Sequence, residues 1–129
     1  MVSQKLIFIV DDDPVINLLV VKRFTSEGYR VEAFESGEEC LDALERNPSV
    51  IILDYLFTEK NRIFSTGMEI FSKIKEMKPH IPVIMLSGQE KGEIVLELVR
   101  KGIDDYIIKD NNLIDNLGVA IKEVFAKVS

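Results

Sequence analysis

Residues 8–16 read FIVDDDPVI, an apolar run that ends in three consecutive aspartates and a proline. Like charges at contact distance in a partly shielded site repel each other by on the order of a few kcal/mol per pair. Three consecutive aspartates, Asp11, Asp12 and Asp13, therefore require interactions that offset this repulsion. Asp13 is explained locally, because Asp is a preferred helix cap and Pro14 suits the first helical position. The stretch predicts a buried strand, acids at its end, and the start of a helix.

The rest of the chain repeats this order of strand and helix without interruption. Short apolar runs rich in β-branched residues predict strands over 5–10, 29–34, 49–54, 81–87 and 105–109. Apolar residues at helical spacing predict helices from Pro14 to a stop at Gly28, from a Ser36 cap to about Arg46, and over 66–77, 92–102 and 112–127. Five strands alternating with five helices imply an α/β fold, a parallel sheet covered on both faces. We expect residues 1–129 to form a single domain.

Composition excludes several classes of function. The chain has 129 residues, 47% hydrophobic and 29% charged, as in a soluble globular domain. No apolar run is long enough to span a membrane, and the net charge of −6 argues against direct binding to nucleic acid. Cys40 and His80 are the only residues of their types, which rules out an internal disulfide and a Cys/His zinc cluster. A reducing cytoplasm is the location that this cysteine usage favours.

Polar residues follow four of the five predicted strands. Right-handed crossovers place the carboxyl ends of parallel strands at one edge of the sheet, where ligands of such folds bind. The first strand is followed by Asp11 and Asp12, the third ends at Asp54, the fourth at Ser87 and the fifth at Lys109. Hard divalent cations take carboxylate oxygens as ligands, so a cation among the acids would explain their crowding.

These residues resemble the pattern of response-regulator receiver domains over the whole chain. In that family a pair of acids follows strand one, a phosphorylated Asp ends strand three, Ser or Thr ends strand four and Lys ends strand five. The resemblance implies a flavodoxin-like, doubly wound sheet in the order 2-1-3-4-5. It also implies that Tyr106, three residues before Lys109, is a conformational switch.

The resemblance further implies a mechanism. Asp54 would accept a phosphoryl group from a partner histidine kinase or phosphotransfer protein, with Lys109 and Ser87 contacting the phosphoryl oxygens. Asp12, Asp54 and the backbone carbonyl of Leu56 would bind Mg²⁺, and Asp11 would act through a metal-bound water. The expected turnover is limited to self-phosphorylation from a phosphodonor and slow autodephosphorylation.

An output surface is implied as well. Movement of Ser87 and Tyr106 would change the face made by the fourth helix, fifth strand and fifth helix, which would then engage a downstream effector protein. The chain is expected to be a monomer or a weak dimer that depends on phosphorylation.

The sequence departs from the family pattern at three places. The segment 55–66 after the acceptor is longer than usual, and we expect it to form a lid that faces a partner or a solvated loop. Asp110 replaces a proline that follows a cis bond in the family, and we predict a trans Lys109–Asp110 bond because a non-proline cis bond costs about 3–4 kcal/mol. Leu56 stands where relatives often have a polar residue, and with Gln89 it predicts slow loss of phosphate.

Two other functions fit part of the pattern. A haloacid-dehalogenase-type phosphohydrolase would use Asp11 as nucleophile and Asp13 as general acid, but it leaves Asp54 without a role. A receiver-like interaction module would keep the fold without regulation by phosphorylation.

Overall fold

The computed structural model describes residues 4–55, 67–88 and 92–127. Its strands are β1 (Leu6–Val10), β2 (Arg30–Phe34), β3 (Val50–Asp54), β4 (Val83–Ser87) and β5 (Asp105–Ile108). Its helices are α1 (Pro14–Ser26), α2 (Gly37–Asp42), α3 (Gly67–Met77), α4 (Gly92–Arg100) and α5 (Leu113–Lys127), with a short 3₁₀ helix over Leu44–Arg46. Every predicted strand and helix is present, with ends that differ by a few residues.

All five strands are parallel and lie in the order β2-β1-β3-β4-β5, which confirms the predicted fold. The neighbours β3 and β4 pair Asp54 with Leu86, and β4 and β5 pair Ser87 with Ile108. The carboxyl ends of β1, β3, β4 and β5 therefore meet at one edge of the sheet, and the polar residues that end these strands meet with them.

Alternate residues of the central strands pack into two separate cores. One core holds Ile52 and Leu86 with the buried faces of α1 and α5, and the other holds Leu53 and Met85 with α2, α3 and α4. Strands buried on both faces carry continuous apolar runs, as β3 and β4 do. Within the described residues, no helix combines the length and apolar character that crossing a membrane requires.

Side-chain caps start the first two helices where the sequence predicts. Asp13 accepts a hydrogen bond from the Val15 amide at 2.9 Å, and the Ser36 hydroxyl accepts one from the Glu39 amide at 3.2 Å. The prediction for the second helix was too long, because regular α-helix ends at Asp42 and the chain tightens into the 3₁₀ turn. A turn of this kind is common where a helix ends.

Candidate functional site

Asp11 is fully buried at the end of β1 and is held at several points. Its amide donates to the Phe34 carbonyl at 3.0 Å, and its own carbonyl accepts from the Asn17 side-chain amide at 2.8 Å. Its carboxylate oxygen Oδ1 accepts from the Asp13 amide at 2.9 Å. The backbone and one carboxylate oxygen are therefore fixed before any ligand binds.

Lys109 connects two of the acids across the edge of the sheet. Its Nζ lies 2.8 Å from Asp11 Oδ2 and 2.9 Å from Asp54 Oδ1. Asp54 is nearly fully buried, whereas the lysine side chain keeps 24% of its surface exposed. The lysine comes from β5's end and its partners from β1 and β3, so the ion pairs form only because the sheet order brings these ends together.

Burial and ion pairing have opposite effects on the pKa values of Asp11 and Lys109. Burial raises the pKa of the Asp11 carboxyl, while hydrogen bonds from Lys109 and the Asp13 amide oppose that rise. Burial alone would lower the pKa of Lys109, but its hydrogen bonds to Asp11 and Asp54 outweigh burial and the pKa is raised. The Lys109 ammonium is therefore firmly charged at neutral pH, whereas burial makes ionisation of the Asp11 carboxyl less favourable than in water.

The residues present fit a divalent cation. Asp11, Asp12 and Asp54 each offer a carboxylate oxygen, and these atoms lie within 4.8 Å of one another. Each of these acids carries a negative charge when ionised, and Lys109 contributes one positive charge from the described part of the chain. The charge of Asp12 further raises the pKa of Asp11, as expected for neighbouring like charges. An all-oxygen set of this charge suits a hard cation such as Mg²⁺.

Ser87 and Tyr106 lie on neighbouring strands next to this cluster. Ser87 is 2% exposed, and its carbonyl accepts from the Lys109 amide at 2.9 Å. Tyr106 is half-buried on β5 and lines an apolar cavity of about 460 Å³ against α4. Ser87 thus ends β4, the strand that lies between β3 with Asp54 and β5 with the predicted switch.

Some predictions fall outside the described residues, among them the Leu56 carbonyl as a metal ligand, Gln89, and residues 56–66 of the long segment. The Lys109–Asp110 bond lies within the described residues. Peptide bonds in those parts of the chain are all trans, which confirms the trans bond predicted here. Asp110 also accepts from the Asn112 amide at 2.8 Å, which shapes the entry to α5.

Two residues that support the site were missed from sequence. Gly67 opens α3 against the end of β3, where an added Cβ would lie 2.2 Å from the Asp54 carbonyl oxygen. Asn17 is 7% exposed and reaches back from α1 to Asp11. The sequence does contain a signal for Asn17, because a polar residue among the apolar positions of a helix is unusual. The sequence does not show that the Asn17 side chain contacts Asp11, because that contact depends on the fold.

The geometry argues against the phosphohydrolase alternative. That mechanism needs Asp13 as a general acid, but Asp13 is exposed and caps α1 through Oδ1. It also needs Asp11 as a nucleophile, although one oxygen of this carboxylate already accepts from the Asp13 amide, and it gives no role to the buried Asp54 that Lys109 contacts.

Comparison with known families decides the identity. The family model for the response regulator receiver domain matches residues 7–121. This chain belongs to the response-regulator receiver family. That membership confirms the resemblance seen in the sequence, and the matched region includes every residue of the acidic cluster and Lys109.

Among curated relatives, the transcriptional regulatory protein GlrR of Escherichia coli is 33% identical over 80% of this chain. The chain spans only 22% of GlrR and 23% of the nitrogen assimilation regulatory protein NtrX of Azorhizobium caulinodans. The two-component response regulator ORR3 of rice is 30% identical over 76% of this chain and 75% of its own length.

Solved structures show the same fold. The response regulator DrrB of Thermotoga maritima has a TM-score of 0.82 and 30% identity, covering 98% of this chain and 55% of DrrB. The response regulator TrrA of the same organism, solved in complex with Mg²⁺-BeF, has a TM-score of 0.78 and 28% identity, covering 94% of this chain and 99% of TrrA.

Proposed function

We propose that this chain is a phosphoacceptor signalling domain in which Asp54 receives a phosphoryl group with Mg²⁺ bound beside it. The observation that carries the proposal is the position of Lys109 Nζ, within 2.9 Å of both Asp11 and Asp54, at a cluster of three acids whose carboxylate oxygens could bind a cation. Receiver-family membership supports the same conclusion. In this proposal residues 1–129 form one receiver domain.

The chemistry follows from where the charges lie. One Asp54 carboxylate oxygen attacks the phosphorus of a phosphohistidine or small phosphodonor, the bond to the donor breaks, and an acyl phosphate forms on Asp54. Bound Mg²⁺ supplies positive charge to the phosphoryl oxygens, and positioning with charge neutralisation accounts for most of the catalysis of such transfers. Asp12 and Asp54 would hold the cation directly, and Asp11 would assist through a water molecule. Lys109 and the Ser87 hydroxyl donate hydrogen bonds to the phosphoryl oxygens.

The phosphoryl donor would be a histidine kinase or phosphotransfer protein, and the receiver of the signal an effector protein. The apolar cavity between α4 and β5 supports the predicted output face, because its lining includes Leu96 and Val99, which are 51% and 60% exposed. Tyr106 lines the same cavity and lies on β5, which ends one residue before Lys109. Cys40 is a free buried thiol, as suits the cytoplasmic location predicted from cysteine usage.

The assignment of Asp54 as acceptor is tested by replacing it with Asn and by making the same replacement at Asp13 as a control. The protein is incubated with acetyl phosphate and Mg²⁺, and its intact mass is measured. We expect the parent and Asp13→Asn to gain one phosphoryl group, because Asp13 serves only the cap and Asn caps equally well. Asp54→Asn should gain none.

Two outcomes would contradict the proposed function. Phosphorylation that persists in Asp54→Asn and disappears in Asp11→Asn would move the acceptor to Asp11 and favour the phosphohydrolase mechanism. A folded parent that accepts no phosphoryl group from either acetyl phosphate or a histidine kinase would leave the interaction module as the better description.

A further inference from the structure

We propose that Asn17 is a positioning residue for the Asp11–Asp12 pair and thereby sets the affinity of the site for Mg²⁺. The inference rests on the proposed function, because it concerns the acids that would hold the cation. It assigns a role to a residue of α1 that lies outside the set of acids, hydroxyl and lysine described above.

The contact itself is short and buried. Asn17 Nδ2 lies 2.8 Å from the Asp11 carbonyl oxygen, and Asn17 is 7% exposed. A carbonyl can only accept a hydrogen bond, so the amide nitrogen must be the atom that faces it. The Asn17 backbone amide donates in turn to the Asp13 carbonyl at 3.2 Å. The residue therefore joins the end of β1 to the first turn of α1.

The local composition shows that this amide does not serve packing. The other buried residues of α1, Val20 and Phe24, are apolar and belong to the core against α5. Asn17 Oδ1 is buried and has no hydrogen-bond partner among the described residues. Burying a polar group without a partner costs free energy, which an apolar side chain at this position would avoid. The benefit that offsets this cost is the hydrogen bond to Asp11.

That hydrogen bond fixes the peptide that links the two acids. The Asp11 carbonyl belongs to the peptide unit shared with Asp12, so rotating this unit moves the Asp12 backbone and its carboxylate. The Asp11 amide is held by Phe34 and its carboxylate by Asp13 and Lys109, which leaves the carbonyl as the point that Asn17 controls. Residues that orient metal ligands typically change metal affinity by roughly 10- to 100-fold when they are removed.

The test compares metal binding with stability in three proteins. The dissociation constant for Mg²⁺ is measured by titration calorimetry for the parent, Asn17→Leu and Val20→Ala, and unfolding by urea is followed in the presence of EDTA. Leu has the same branching pattern as Asn but no donor, whereas Val20→Ala creates a cavity on the same helix without touching Asp11. We expect Asn17→Leu to bind Mg²⁺ about tenfold more weakly. Val20→Ala should bind as the parent does, although it is less stable.

Amide NMR gives a second measurement that does not depend on affinity. In Asn17→Leu, the Asp12 amide resonance should shift in the metal-free protein, because that amide belongs to the peptide unit released. If Asn17→Leu does not fold, Asn17→Ser provides the test, since Ser also removes the amide donor while remaining polar. Equal Mg²⁺ affinity in the parent and a folded Asn17 variant overturns the inference. Absence of Mg²⁺ binding by the folded parent overturns the proposed function and this inference with it.

Discussion

The three consecutive aspartates do three different things. Asp11 is fully buried and paired with Lys109, Asp12 is half-exposed within the acidic cluster, and Asp13 is exposed and caps α1. The sequence predicted the separate task of Asp13 because a cap followed by proline is a local signal. It could not predict which carboxylate pairs with the lysine, because that depends on how β1, β3 and β5 are aligned.

Asp12 gives the first stability prediction. Unit charges separated by the 4.8 Å that bounds the cluster repel by roughly 3 kcal/mol at an effective dielectric of about 20. Asp12→Asn removes such repulsion from Asp11 and Asp54. With solvent screening at a half-exposed residue, we expect the free energy of unfolding in EDTA to rise by about 1 kcal/mol.

Added Mg²⁺ should make the parent more stable than Asp12→Asn, the reverse of the order expected in EDTA. A cation that binds only the folded state stabilises it by mass action, so the parent should gain stability with Mg²⁺ concentration while Asp12→Asn gains much less. Asp13→Asn is the matched control, since it removes an adjacent charge that lies outside the cluster. Urea unfolding at fixed pH measures all three. A destabilised Asp12→Asn protein in EDTA would show that favourable contacts of the Asp12 carboxylate outweigh its repulsion by Asp11 and Asp54.

The start of each helix was easier to predict than its end. Asp13 and Ser36 make local hydrogen bonds that their sequence positions announce, and both caps were predicted correctly. The end of α2 was not, because the residues up to Arg46 are compatible with helix and no proline or glycine interrupts them. The 3₁₀ turn ends at Asn47, whose backbone is left-handed with φ of 53°. Asn tolerates the left-handed conformation better than most residues do. An Asn in the sequence does not by itself indicate that conformation, so Asn47 does not predict where the helix ends.

The junction of β3 and α3 depends on a glycine that periodicity cannot reveal. The Gly67 amide donates to the Tyr55 carbonyl at 2.5 Å, and an added Cβ would meet the Asp54 carbonyl oxygen at 2.2 Å. The obstructing atom is backbone, so Gly67→Ala must displace either α3 or the segment that carries Asp54. We expect a loss of about 1–3 kcal/mol in the free energy of unfolding and slower phosphorylation by acetyl phosphate.

Gly118 supplies the control for that substitution. It is also a buried helical glycine, but its added Cβ would lie 3.7 Å from the Phe24 ring, which is ordinary contact. Gly118→Ala should therefore be neutral or stabilise the protein by up to about 1 kcal/mol, because alanine favours helix more than glycine does. Urea unfolding compares the two variants. Equal effects of both substitutions would mean that the approach of α3 to the Asp54 carbonyl is not a constraint.

Topology explains why so much of the site was predictable from the whole chain. Once five strands and five helices are recognised, right-handed crossovers leave few arrangements, and each places Asp11, Asp54, Ser87 and Lys109 at one edge. The contacts of Asn17 and Gly67 are different in kind, because they depend on how closely α1 and α3 approach the strands. Such packing distances are set by all the side chains of the two cores together.

The last prediction concerns communication from the acidic cluster to the α4–β5 face. On the proposed function, beryllium fluoride with Mg²⁺ mimics the phosphoryl group on Asp54, and the Ser87 hydroxyl moves toward it. Tyr106 should then turn into the space released, which alters the apolar cavity that it lines with Leu96 and Val99.

Backbone NMR with and without the mimic tests this movement. Amide resonances of Leu96, Val99 and Tyr106 should shift in the parent, and none should shift in Asp54→Asn, which lacks the acceptor carboxylate. Tyr106→Ala should still bind the mimic, because the ring contributes no ligand, but the shifts on α4 should shrink. A ligand moves such an equilibrium only by its differential affinity for the two conformations. Shifts of equal size on α4 in the parent and in Tyr106→Ala would therefore show that the signal reaches α4 without this side chain.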